Sequence, residues 1–309
     1  MRLNQLRDLV AVVESGSVRA AGRTLGVAST VLTRSVRELE KELGIQLIER
    51  STHGVIPTTA GRIFLGHARL VQNELGRMKE AMMELAGSPS AVTFGASPAI
   101  QPLLAGALTS FRRQYPSTEV RIVNGFTPAL LPPLREGRFD FALASVPRGA
   151  RLEAQFKSQP LFRLNQVVVA RRGHPLAKAK SLRELLDADW LVHTSLDDPP
   201  GHPGYWFKDL FAENGLPLPR SVVYCDGIQF LTILMGSDVI STQTRHNILF
   251  NLGHDLLEIF QLKMRIPASF TITSSLLVRA GSTLKPAAAA MVAAIKAEAR
   301  KLAFSSSAK

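Results

Sequence analysis

Ser29, Thr30, Thr33, Arg34 and Arg37 lie in a segment whose apolar residues recur at three- and four-residue steps, on positions that the buried face does not need. Such a set suits duplex DNA. A guanidinium can bond guanine O6 and N7 bidentately, and a serine or threonine hydroxyl adapts to base edges or phosphate. A second group, Ser97-Pro98-Ala99-Ile100-Gln101, follows an apolar run and opens a helical pattern. Free backbone amides and the positive end of a helix dipole there suit a carboxylate or sulfonate, and the plainer reading of Ser97 is a helix cap. The same stretch, Gly95-Ala96-Ser97-Pro98-Ala99, imitates a nucleophile elbow but lacks its last glycine. Pro98 also removes the N–H that would help form the oxyanion hole, so a hydrolase ranks a distant third. His67, His174, His193, His202, His246 and His254 form no HExxH motif, and neither a Walker loop nor GxGxxG occurs. The expectation is a protein with no catalytic residue, no metal and no cofactor.

The DNA-facing set needs a scaffold, and Ser17 to Gly44 supplies its pattern. Ala21, Leu25, Val27, Leu32, Val36, Leu39 and Leu43 give two short helices a common core, and Gly26 falls between them. A left-handed residue at that point lets the second helix start at a steep angle, which makes a helix-turn-helix. Leu6, Leu9, Val10 and Val13 predict a further helix over 3–14, ended by Gly16, and Ser17 is placed to cap the next one. After Gly44, short apolar runs flank a turn at Ser51 to Gly54, predicting a β-hairpin wing with Arg50 at its base and His53 at its tip, suited to phosphate contact. Thr58 or Thr59 caps a long helix running to about Ala86. Its residues Phe64, Ala68, Val71, Leu75, Met78, Met82 and Leu85 form a heptad seam, which predicts pairing with the same helix of a second subunit, against the alternative of one amphipathic helix lying on its own domain. Gly87 to Ser90 read as a hinge.

From Ala91 the pattern alternates strand-length apolar runs with helical segments: VTFGA, then 98–115, VRIV, then 128–136, FDFALA. This order implies a parallel α/β sheet. Gln166 to Ala170, Trp190 to His193, Val222 to Cys225 and Val239 to Ser241 continue it as a second, smaller α/β unit. Ile272 to Val278 and the alanine-rich 286–302 return the chain to the first, giving two lobes with crossing strands. Residues 91–111 carry no charge, yet Pro98, Pro102, Gln101 and two glycines make a poor lipid-facing helix, so no membrane span is expected.

The net charge of +12 over 309 residues invites an anionic partner. Residues 1–90 hold 12 Lys+Arg against 9 Asp+Glu, and 91–309 hold 25 against 16, so most of the excess lies outside the helix-turn-helix. The basicity therefore favours a small anion bound in the larger part as much as DNA. Cys225 is the sole cysteine, which excludes an intrachain disulfide and a thiolate zinc cluster and suits a reducing cytoplasm. Arg2, Arg7 and Asp8 precede any apolar run, so export is not expected.

Ala21-Gly22, Leu25, Val27, Leu32-Thr33-Arg34, Leu39-Glu40, Leu43-Gly44, Leu47, Arg50, Thr59-Ala60-Gly61, Phe111 to Pro116, Gly137 to Phe141 and His174-Pro175-Leu176-Ala177 together resemble the LysR-type transcriptional regulators over nearly the whole chain. The resemblance implies a winged helix-turn-helix over 1–58, a linker and dimerisation helix with hinge over 59–90, and an effector domain over 91–309 like a periplasmic binding protein. Lobe I would cover about 91–163 and 268–309, and lobe II about 164–267. It also implies a homotetramer built as a dimer of dimers, a double-stranded operator, and a small effector held by Ser97 to Gln101, Phe126-Thr127-Pro128, Thr194-Ser195 and Gln229. A small-molecule binding protein without regulation is the competing class. Where the family usually places Ser-Gln, this chain has Ala28-Ser29, so the long amide that pairs with adenine is absent. Gly236 to Thr242 resembles a subgroup regulating breakdown of aromatic sulfonates.

Overall fold

The computed structural model describes residues 1–51, 54–147, 152–194, 205–246, 257–267 and 270–307. The chain divides into two compact units, Met1–Ser88 with Arg135–Arg138, and Pro89–Leu134 with Phe139–Lys309.

In the first unit, α1 (Leu3–Glu14), α2 (Val18–Leu25) and α3 (Ser29–Leu43) are followed by β1 (Ile48–Ser51), β2 (Gly54–Pro57) and the long α4 (Thr59–Leu85). The local signals act as their chemistry requires. Ser17 Oγ accepts the Ala20 N–H at 3.0 Å and starts α2. Gly26 ends it with φ +67°, and the chain re-enters helix three residues later. Leu9, Val12, Ala21, Leu32, Val36, Leu39, Leu47 and Leu65 close one apolar core beneath this turn. Glu40 Oε1 accepts the N–H groups of Leu47 and Ile48 at 2.8 and 3.1 Å, fixing the entry to the wing, and β1 and β2 pair antiparallel. Thr58 Oγ1 accepts the Gly61 N–H at 2.9 Å and caps α4.

Leu43, expected in this core, is 40% exposed instead. The seam on α4 divides in two. Ala68 is buried and Phe64 half-buried against the unit's own core, whereas Val71, Met78, Met82 and Leu85 are exposed. Phe64, placed on the dimerisation seam by its spacing, thus also packs α4 onto its own domain.

The second unit contains β3 (Ala91–Ala96), a 3-10 turn at Pro98–Ile100, α5 (Gln101–Gln114), β4 (Glu119–Asn124), α6 (Thr127–Arg135), β5 (Phe141–Pro147) and β6 (Phe156–Arg171). It continues with β7 (Asp189–His193), α7 (Tyr205–Glu213), β8 (Ser221–Cys225), α8 (Gly227–Gly236), β9 (Val239–Thr244), β10 (Leu257–Ile259), β11 (Thr271–Arg279) and α9 (Pro286–Ser307). The strands run in the order β4-β3-β5-β11-β6-β9-β7-β8, with β10 on β6. The outer pairs are parallel as expected, but the middle pairs around β11 and β6 are antiparallel, so the sheet is mixed.

Two cores make two lobes. Phe94, Ile100, Leu103, Phe111, Phe141, Met291 and Ile295 fill the first, with α9 returned onto α5. Trp190, Phe207, Leu210, Phe211, Ile240 and Phe260 fill the second. The crossing strand β6 is 16 residues long, far beyond the QVVVA run that marks it in the sequence. Its first part pairs with β11 and its last part with β9 and β10. Pro160 hides this continuity, since it cannot donate to a ladder. The register shift between Ser274 and Ser275, opposite Phe162 and Pro160, is the bulge that accommodates it. The uncharged run 91–111 forms β3 and the start of α5, and among the described residues no helix is long and apolar enough to cross a membrane.

Candidate DNA-reading face and effector cavity

Ser29, Thr30, Thr33, Arg34 and Arg37 line one open groove of about 610 Å³, joined by Val18, Arg19, Glu38 and Lys41. Thr30, Thr33, Arg34 and Arg37 are together because they lie on the arc that α3 turns away from Leu32, Val36 and Leu39, and Ser29 joins them from the first turn of α3, beside Gly22 of α2. Arg19 and Lys41 were missed, although Lys41 is one helical turn beyond Arg37 and the same periodicity reaches it. Arg34 Nε donates to Glu38 Oε1 at 2.7 Å, and Arg2 Nη2 donates to Glu38 Oε2 at 2.7 Å. The hydrogen bond from Arg34, with charge and hydrogen bonding from Arg2, holds the Glu38 carboxyl below the usual carboxylate range. Arg50 sits in β1, its side chain beyond the described atoms, and His53 lies outside the described residues.

A second cavity, of about 40 Å³, lies between the two lobes. Pro98, Ala99 and Phe126 line it as expected, together with Ser145, Gln166, His193, Thr242, Gln243, Thr244 and Ile272. Ser97 stands behind this wall, 1% exposed, with its Oγ 3.0 Å from Ser145 Oγ and its N–H on Leu143 O at 2.8 Å. Thr127 Oγ1 donates to Ser145 O at 2.8 Å, while Pro128 is half-buried on α6 and Thr194 extends the pairing of β7 through Cys225 O. Three residues expected at the effector lie off the lining of this cavity. Ile100 points into the first-lobe core, Gln101 is exposed at the start of α5, and Gln229 is exposed in the first turn of α8. Ser195 lies outside the described residues.

Gln166 is buried and lines the cavity, and its side-chain oxygen has no hydrogen-bond partner among the described residues. His193 lies between two rings, edge-on to Phe126 at 4.9 Å and stacked on Phe230 at 4.4 Å. Sequence reasoning assigned His193 to core or surface and gave Gln166 and Thr242 to Thr244 no site role, because the strands bearing them meet only through the long-range pairing of β6 with β9 and of β9 with β7. Burial lowers the pKa of His246, whose ring is 6.4 Å from Phe162. Ser97 is no nucleophile: its hydroxyl is buried against another serine rather than a base.

Residues 3–62 match the bacterial regulatory helix-turn-helix model of the lysR family, and residues 86–300 match the LysR substrate binding domain. The chain belongs to the LysR family. It is thus a DNA-binding transcriptional regulator with a substrate-binding domain, and its homologues are regulators rather than enzymes. It is 23% identical over 241 residues to the HTH-type transcriptional regulator TdcA of Escherichia coli K12, covering 74% of this chain and 73% of TdcA. In fold it is similar to a full-length OxyR from Pseudomonas aeruginosa, with a TM-score of 0.64, 22% identity and coverage of 97% and 95% of the two chains. It is also similar to full-length CbnR in complex with its target DNA, with a TM-score of 0.60, 18% identity and coverage of 96% and 100%. This LysR regulator therefore combines a candidate reading face on α3 with an interlobe cavity on the crossing strands.

Proposed function

We propose that this LysR regulator binds operator half-sites through Ser29, Thr30, Thr33, Arg34 and Arg37, with Arg50 and His53 on phosphate. In this reading its output is set by a small anionic effector, an aromatic carboxylate or sulfonate, taken between the lobes. The observation that carries the proposal is the convergence of the five α3 residues on one groove. The domain division of 1–58, 59–90 and 91–309 belongs to the same reading, as does its cytoplasmic place.

The cavity supports an anionic effector through donors rather than cations. Hydroxyls of Ser145, Thr242 and Thr244 and amides of Gln166 and Gln243 can donate to its oxygens, and Phe126 and His193 flank it with rings. Size decides how such a molecule enters. A cavity of roughly 150 Å³ holds benzene, and this one measures about 40 Å³, so an aromatic effector enters only when the lobes part. The exposed Val71, Met78, Met82 and Leu85 support a homodimer through α4. The apolar residues Ile122 and Val123 on β4 and Val223 and Tyr224 on β8, both at sheet edges, support further association into a homotetramer. Closure or opening of the lobes then shifts the spacing of the DNA-binding heads and the bend of the operator.

Selection of binding sites from a random duplex pool by the full-length protein tests this reading. A specific operator should emerge, bound about 10³-fold or more above random duplex, and Arg34→Ala should lower that preference. Equal affinity for all duplexes would remove the regulatory reading and favour a small-molecule binding protein.

A further inference from the structure

Glu38 is an acidic residue set among the cations of a groove that faces a polyanion. Its carboxylate spends one oxygen on Arg34 and the other on Arg2, each at 2.7 Å, so it bridges the recognition helix α3 to the start of α1. Met1 at the chain start also pairs with Glu42, one helical turn beyond Glu38, and reinforces the same seam. A free arginine on a helix surface samples many rotamers, and phosphate is the nearest strong acceptor for it. An arginine held at Nε loses most of that freedom and keeps the end-on fork of its two terminal amino groups for a base. The bridge has a second consequence. The three side chains together contribute a net charge of one rather than two, so sequence-independent attraction to phosphate is reduced at this edge of the groove.

We propose that Glu38 is a positioning residue for sequence readout, which fixes the direction of Arg34 toward one base pair and restrains Arg2 and Arg34 from phosphate. This rests on the reading that Arg34 contacts bases. Glu38 thereby exchanges raw affinity for discrimination, a form of specificity achieved by penalising wrong sites. The pairs are exposed in the free protein, where such bridges stabilise little. Their effect grows at the DNA surface, where water is displaced and charge interactions strengthen.

The test compares wild type, Glu38→Gln, Glu38→Ala and Arg34→Ala as full-length proteins on the operator selected by wild type, on variants with each base pair changed, and on random duplex across a salt series. The proposal expects Glu38→Gln and Glu38→Ala to bind random duplex more tightly and with a steeper salt dependence. It expects them to lose about tenfold of the discrimination at the base pair that Arg34→Ala also ceases to read, within the range of a bidentate contact. A melting temperature unchanged from wild type separates this from a folding effect, and should Glu38→Ala melt lower, Glu38→Gln carries the comparison alone. An unchanged discrimination ratio, with affinities for all duplexes shifted equally, would overturn the role of Glu38 while leaving Arg34 readout intact. Absence of any selected operator for wild type would instead overturn the DNA reading beneath it.

Discussion

The ring of Phe126 meets the imidazole of His193 edge-on, with centroids 4.9 Å apart and planes at 82°. Phe126 lies between β4 and α6 in the first lobe and His193 ends β7 in the second, so this contact joins the lobes across the cavity. An aromatic pair adds about 0.5–1.5 kcal/mol beyond the area it buries. Phe126→Ala should therefore lower the melting temperature of the effector-free protein by a few degrees and enlarge its radius of gyration in X-ray scattering. A variant as compact and as stable as wild type would show that the contact does not hold the lobes together.

Gln166 is 8% exposed, and its side-chain carbonyl oxygen is unpartnered among the described residues. A buried polar group without a partner costs about 1–3 kcal/mol, so Gln166→Leu should raise the denaturation midpoint in the absence of effector. The same change removes a donor and an acceptor from the cavity, so a compound that stabilises wild type should stabilise the variant less. Equal thermal shifts in both proteins would place the effector elsewhere.

Much of the first unit was legible in the sequence because its signals are local. Ser17, Gly26 and Thr58 act within four residues of themselves, and the hydrophobic steps of α2 and α3 follow a single period. Gly61 was recognised only through the family resemblance, and the structure supplies its reason: a Cβ there would stand 1.9 Å from Leu47 O. The effector cavity was half legible. Pro98, Ala99 and Phe126 sit at strand-to-helix turns that the pattern marks, whereas Gln166 and Thr242 to Thr244 lie on antiparallel strands brought together by β6. Strand order depends on contacts far apart in the chain, and Pro160 masks the strand that runs through both lobes.

On α4, Met82 is 57% exposed and Met78 lies on the same stripe, one helical turn away. Substituting Met78→Glu and Met82→Glu together places like charges along the proposed seam, so sedimentation should show dissociation of the assembly with the circular dichroism of each chain preserved. Operator affinity should fall with it, because paired heads bind half-sites together. An assembly of unchanged mass would exclude this stripe from the subunit contact.

Burial keeps the pKa of His246 below that of an exposed histidine. The unfolded chain then takes up its proton first, so the stability linked to this residue is present above the unfolded pKa of about 6.5 and is lost as pH falls toward the folded value. Denaturation midpoints measured from pH 7.5 down to 5 should decline, and His246→Asn should flatten part of that slope. A slope identical in the two proteins would assign the decline to other groups.

The coupling of effector to operator is tested most directly by fluorescence transfer between the ends of the selected operator, bound by the full-length regulator. The compound to titrate is one that raises the melting temperature of wild type and not of Gln166→Leu. Parting of the lobes predicts a saturable change in transfer with wild type, at the concentrations where the compound binds, and none with Gln166→Leu. A wild-type complex that binds both compound and operator while transfer stays constant would contradict the account.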